Sequence, residues 1–285
     1  MVKSKKDIVW GIVLCIFCGI FYFLGSIWAQ NEKLVLDEKK VALRVEMRKE
    51  ELNFNQYSML KFLEEKYESN GYKVYEPAYY GDLYPLRLRD AGVNIFIRGK
   101  FISLDKRYID EAYNIYLVDS YVDGKIVEFR NFDEYWATRK ELVESANSFG
   151  VKMSEFRAQN FKKKNIDRTN ASEILYIYEG KNGAFGDRLV RENNNAKSYS
   201  SVMLAGLSEN ERDNILAKAK VVVYDCMEEG VWDKFYSYLF GVYNLLSYGG
   251  AVIVNESCGK VRDIDGVKVF SNYEEMRGML RLFMH

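Results

Sequence analysis

From Ile8 to Ala29 the chain reads IVWGIVLCIFCGIFYFLGSIWA, without a charge. A helix of that length rises about 33 Å, enough to cross a hydrocarbon core of about 30 Å. The pattern predicts a membrane anchor through residues 8–29, within an N-terminal segment 1–30. A cleaved signal peptide is the competing reading, because Lys3, Lys5 and Lys6 form a basic start and Ala29 ends a passable cleavage site. The anchor is preferred: the apolar run exceeds a usual signal core, and Ile27 ill fits the small residue expected two positions before Ala29. The lysines before the helix favour a cytoplasmic N-terminus with the remainder outside. Lys33, Lys39, Lys40 and Arg44 weaken that bias and leave the side of the membrane open.

Residues 31–53 are highly charged, with Leu34, Leu36, Val41, Leu43 and Val45 interspersed, and are expected to form a connecting stalk that becomes helical. A helix follows over Phe54 to Ser69, where Leu60, Leu63 and Tyr67 share a face and Asn70-Gly71 supplies the stop. YKVYEP, GVNIFIRG (Gly92 to Gly99) and NIYLVDS (Asn114 to Ser120) read as strands, then Glu134 to Ser148 as a helix and a short strand after Gly150. Beyond a basic stretch from Lys162 to Arg168, read as a wet linker, SEILYIYEG is a strand and a helix starts near Phe185. ENERDNILAKA, YLFGVYNLLSYGG and NYEEMRGMLRLFM read as helices, and AKVVVYD, AVIVNES and GVKVFS as strands. Strand and helix alternating with short links predict an α/β protein of two Rossmann-like domains behind an N-terminal transmembrane helix. The first domain spans 54–160, the linker 161–171 and the second domain 172–285.

The 285 residues carry 41 basic and 41 acidic side chains, which argues against a broad nucleic-acid surface. Of four cysteines, Cys15 and Cys18 lie in the apolar N-terminal run. Cys226 and Cys258 alone are expected to make neither a disulfide framework nor a metal site. The single histidine is the last residue, His285, so acid/base chemistry falls to Asp, Glu, Tyr, Lys or Arg.

In doubly wound sheets ligands bind beyond the carboxyl ends of the strands, where helix amino ends expose unpaired amides. Three such ends stand out in the second half. Glu179, Gly180, Lys181, Asn182 and Gly183, followed by Arg188 and Arg191, combine close backbone approach with cations suited to a phosphate; a plain turn is the bland alternative. No P-loop or dinucleotide fingerprint occurs there. Asp225 to Gly230 offers carboxylates for a ribose or sugar hydroxyl, or solvated loop acids, and Asn255-Glu256-Ser257 faces the cleft or caps a loop. In the first half Arg98 and Gly99 end one strand, and Asp119, Ser120 and Asp123 follow another. Asp119 or Asp123 is a candidate base toward a bound hydroxyl, and a salt bridge with Arg98 is the structural alternative.

Arg98-Gly99, the NIYLVDSYVDG strand and loop, FDEYW, and YLFGVYNLLSYGGAVIVNE resemble the two-domain glycosyltransferases of the GT-B fold, in particular the group similar to spore-maturation glycosyltransferases. The resemblance spans roughly Tyr72 to Leu280. It places Arg98 and Gly99 at that group's Arg-Gly, and Ser120 and Asp123 at its Ser-His-Pro-Asp turn, with Tyr121 and Val122 replacing His and Pro. It sets Asn244 where a donor-binding carboxylate is expected, Gly241 where an arginine is expected, and Gly249 at the glycine before a strand. The resemblance implies transfer of a sugar from a nucleotide diphosphate sugar, held by the second domain, to a glycan or lipid-linked acceptor. It implies no tightly bound metal and no cofactor beyond the donor itself, with Lys181, Arg188 and Arg191 compensating for the missing arginine. A catalytically inactive GT-B-like module that binds glycan or scaffolds an envelope assembly is the alternative, favoured by Gly241, Asn244 and Tyr121. In a Golgi membrane, Asn170-Ala-Ser and Asn255-Glu-Ser would be potential glycosylation sites.

Overall fold

The computed structural model describes residues 35–45, 47–79, 88, 90–97, 111–118, 132–148, 150–159, 161–180, 184–226, 238–259 and 261–284. The expected anchor at 8–29 lies outside them, and among the described residues no helix is long and apolar enough to cross a membrane. All the elements below belong to the compact unit that begins at Asp37.

The stretch expected to be a helical stalk is instead β1 (Asp37–Val45), an interior strand of the first sheet. Its last five residues, VALRV, are buried. Val41, Leu43 and Val45 pack in the core shared with α1 (Phe54–Ser69), while Arg44, on the other face, lies over the Phe96 ring. An interior parallel strand is covered on both faces, so it shows no clean polar alternation. The charged DEKK at its start completes the disguise. Asn53 caps α1: its side chain accepts from Gln56 N (2.8 Å) and its own amide donates to Gln56 Oε1 (3.0 Å), a reciprocal cap that fixes the helix start.

The first half continues through β2 (Lys73–Val74), β3 (Ala78–Tyr79), β4 (Ala91–Ile97), β5 (Tyr113–Val118), β6 (Glu134–Ala137), α2 (Lys140–Ser148) and β7 (Ser154–Glu155). The helix expected over 134–148 is therefore divided. Tyr135 and Trp136 take extended backbone beside β5, where Trp136 stacks on Phe156 at 5.2 Å, and the helix begins only at Lys140. The second half holds β8 (Glu173–Tyr178), α3 (Ala184–Glu192), β9 (Ala196–Ser200), α4 (Ser201–Gly206), α5 (Glu209–Lys218), β10 (Ala219–Asp225), α6 (Leu239–Ser247), β11 (Ala251–Asn255), β12 (Val267–Phe270) and α7 (Tyr273–Met284). The polar edge strand β9 has no counterpart in the sequence reading.

Among the described residues every strand pairing is parallel. The second sheet runs β9-β8-β10-β11-β12. The first runs β2-β1-β4-β5-β6-β7, with β3 also on β1. Each chain segment thus winds outward in both directions from its own first strand, which puts switch points between β1 and β4 and between β8 and β10.

The halves join along α1 and α6. Gly241 N donates to Asn55 Oδ1 (3.0 Å), and three residues further on both helices Asn244 Nδ2 donates to Ser58 Oγ (2.9 Å), so the two helices run in the same direction. Phe62 and Phe240 meet across this seam at 5.6 Å. At its start, Phe54 N donates to Ser201 Oγ (2.6 Å), just past β9, which brings the carboxyl ends of the two sheets together. The basic linker is not simply wet: Lys164 Nζ donates to Asp213 Oδ1 and Tyr248 OH, both at 2.8 Å, and Arg168 Nη1 donates to Tyr248 O at 2.8 Å.

Candidate functional site

The carboxyl rim of the second sheet concentrates buried polar groups at its switch point. Glu179, one residue past β8, is 2% exposed, and Asp225, the last residue of β10, is 3% exposed. Glu179 N donates to Asp225 O at 2.9 Å, tying the two strand ends together. Glu179 Oε1 accepts from Ser201 Oγ (2.6 Å) and from the Tyr224 hydroxyl, and Asp225 Oδ2 accepts from the Tyr176 hydroxyl. Burial, reinforced by Glu179, pushes the Tyr224 phenol far above its ordinary range; burial and Asp225 do the same to Tyr176. Both phenols therefore remain protonated donors.

Strand alternation assigns the two carboxylates to opposite faces of the sheet. Tyr224, Val222 and Val254 face the core under α4–α6, whereas Val223, Ile253 and Tyr176 face α3 and α7. On the next strand, Asn255 is 1% exposed; its Oδ1 accepts from Ser257 N (2.8 Å), and its Nδ2 finds no partner among the described residues. Buried as it is, Asn255 is not presented for glycosylation in the folded protein, while Asn170 lies exposed on a turn.

Gly180 has φ +71° and Gly249 φ +75°, backbone that favours glycine. Gly180 turns the chain at the rim, but Gly249 ends α6, with its amide donating to Leu246 O at 3.0 Å. Asn244 does not face the rim: it is 3% exposed in the α1–α6 seam, bonded to Ser58. A side chain at Gly241 would place its Cβ 2.9 Å from the Tyr224 hydroxyl, so the position has no room for the arginine that the resemblance expects.

Arg188 and Arg191 lie on α3, which packs on the sheet face opposite α6. Arg188 Nε donates to Glu192 Oε1 (2.9 Å), its Nη2 to Glu274 Oε1 (3.3 Å), and its guanidinium covers the Tyr273 ring at 4.0 Å. Arg191 borders an open depression of about 700 Å3 beside the edge strand, with Asp187, Lys197 and Met203. Neither contact set includes a rim carboxylate or the α1–α6 seam. Arg98, Gly99, Asp119, Ser120, Asp123 and Lys181 lie outside the described residues.

Two features escaped the sequence reading. In the first half, Arg44 Nε donates to Asn94 Oδ1 (2.9 Å) and Asn94 Nδ2 to Asn114 Oδ1 (3.0 Å), a buried polar row across β1, β4 and β5. Their spacing within one face was visible only once β1 was known to be a strand. In addition, a cleft of about 810 Å3 lies at the far end of α1, lined by Lys66, Asn70, Glu155, Phe156, Gln159 and Lys162 among others. There Lys66 Nζ sits 5.1 Å from the Trp136 ring and 5.0 Å from that of Phe156, and burial lowers its pKa.

No protein-family model matches the chain, and no curated protein matches it.

Proposed function

We propose that this chain is a membrane-anchored glycosyltransferase of GT-B architecture, which moves a sugar from a nucleotide diphosphate sugar to a glycan or lipid-linked acceptor. One observation carries the reading: two doubly wound parallel sheets have their carboxyl ends brought together, with buried carboxylates at the switch point of the rear sheet. Asp225 is an acceptor for a hydroxyl of the donor, Glu179 holds the rim through Ser201 and Tyr224, and Gly180 lets the backbone approach the diphosphate. Lys181 is its cation, and Asp119 or Asp123 is the base that takes the acceptor proton. Arg188 and Asn244 have no part in this reading, because their contacts engage them elsewhere, and Arg191 lies on α3 beside an open depression at the edge strand.

The test titrates the full chain in detergent or membranes with a panel of nucleotide sugars and free nucleotides, then follows transfer or donor hydrolysis. Saturable binding is expected, weakened about tenfold or more by Lys181→Ala, with turnover reduced about 100-fold in Asp225→Asn. A properly folded sample that binds none of them overturns the proposal.

The placement of Arg188 and Asn244 favours a second reading, a non-catalytic module that binds glycan. Its groove is the cleft beside Phe156, where Asn70, Gln159 and Lys162 supply hydrogen bonds around an apolar wall. Glycan binding lost in Gln159→Ala, with no nucleotide binding in the parent chain, selects it.

A further inference from the structure

The structure assigns a disulfide to Cys226 and Cys258, and from it we infer that the folded part of this chain matures and works in an oxidising compartment. Cys226 is the first residue past β10, and Cys258 closes the short helical turn Glu256–Cys258 that follows β11. These strands are parallel neighbours, with Tyr224 opposite Val254, so their ends deliver both cysteines to one place. The Cα atoms are 5.0 Å apart, within the range of about 4.4–6.8 Å that a disulfide spans.

The setting is that of a structural bond. Both cysteines are wholly buried, in the core that also holds Tyr224, Tyr238, Val254 and Val261. A redox-active pair is ordinarily close in sequence and accessible to its partner, whereas these two are separated by 32 residues and enclosed. Cytosolic thiols are kept reduced by the glutathione and thioredoxin pools, so a buried bond of this kind belongs to a secretory lumen or a bacterial envelope. Formation removes two protons and two electrons from the thiols. The electrons pass to the disulfide of a thiol–disulfide oxidoreductase, which departs as its dithiol while the new S–S bond forms. The inference does not depend on sugar transfer.

It is tested on the full chain carrying Cys15→Ser and Cys18→Ser, which leaves two cysteines to count. Producing cells are quenched in acid, denatured and labelled with a maleimide-linked polymer, with and without prior reduction. No label is expected before reduction and two labels after it. A further Cys226→Ser substitution is expected to expose one thiol without reductant. Limited proteolysis of parallel native samples reports folding, so the count on the intact pair decides the matter even where Cys226→Ser misfolds. Two labels without reductant in protease-resistant protein overturn the inference, as does a reductant-sensitive dimer.

Discussion

A single oxygen, Glu179 Oε1, gathers the hydroxyls of Ser201 and Tyr224, and Ser201 in turn accepts the Phe54 amide from the other half of the molecule. A carboxylate this enclosed is tolerable only because hydroxyl donors surround it. Glu179→Ala leaves both hydroxyls without that acceptor and is expected to cost about 1–3 kcal/mol for each one stranded, read from the urea midpoint at neutral pH. Glu179→Gln retains a carbonyl acceptor and is expected to cost less. If the two substitutions destabilise equally, the hydroxyl pairing is not what holds the rim. Glu179, Asp225 and Asn255 were legible as strand-end polar residues because short apolar runs stop abruptly at each. Their partners Tyr176 and Tyr224 were not, since a tyrosine within an apolar strand carries no mark of where its hydroxyl ends.

At the scale of elements, local chemistry governs helix starts more strictly than strand positions. On α5, Ser208 Oγ accepts from Glu211 N while Ser208 N donates to Glu211 Oε2 at 3.0 Å. Hydrogen bonds from the Ser208 side chain and backbone hold the Glu211 carboxyl below its ordinary 4.5. With the folded value depressed, this cap contributes fully above the ordinary value and fades as the pH falls through the lower one. A thermal-melt series from pH 7 to pH 3 is expected to show a shallower acid loss in Ser208→Ala than in the parent chain; identical slopes would remove Glu211 from the acid transition. The α1 boundaries follow from the same kind of signal, Asn53 paired with Gln56 across the first turn and Asn70-Gly71 after the last. In contrast, β1 hid behind its lysines, and β6 was read as the opening turns of α2, because a strand is stabilised by neighbours that are remote in sequence.

For the molecule as a whole, the α1–α6 seam decides whether the halves behave as one body. Ser58 and Asn244 are both buried there and bonded to each other. Ser58→Ala strands the Asn244 amide and is expected to lower stability by about 1–3 kcal/mol, with part of the loss recovered when Asn244→Leu is added. Unfolding followed by tryptophan fluorescence and by far-UV circular dichroism should stay coincident in the parent chain; separated transitions would show two independent halves.

By itself the sequence determined the two-fold alternation of strand and helix, the charge-free segment at 8–29, and the polar residues closing β8, β10 and β11. These are matters of period, run length and punctuation, which neighbouring residues dictate. Only the tertiary structure made β1 an interior strand, turned Arg188 and Asn244 away from the rim, and brought Cys226 to Cys258. Parallel strands meet only through long crossovers, so which residues share a face, a seam or a bond depends on winding order, and no local pattern encodes that order.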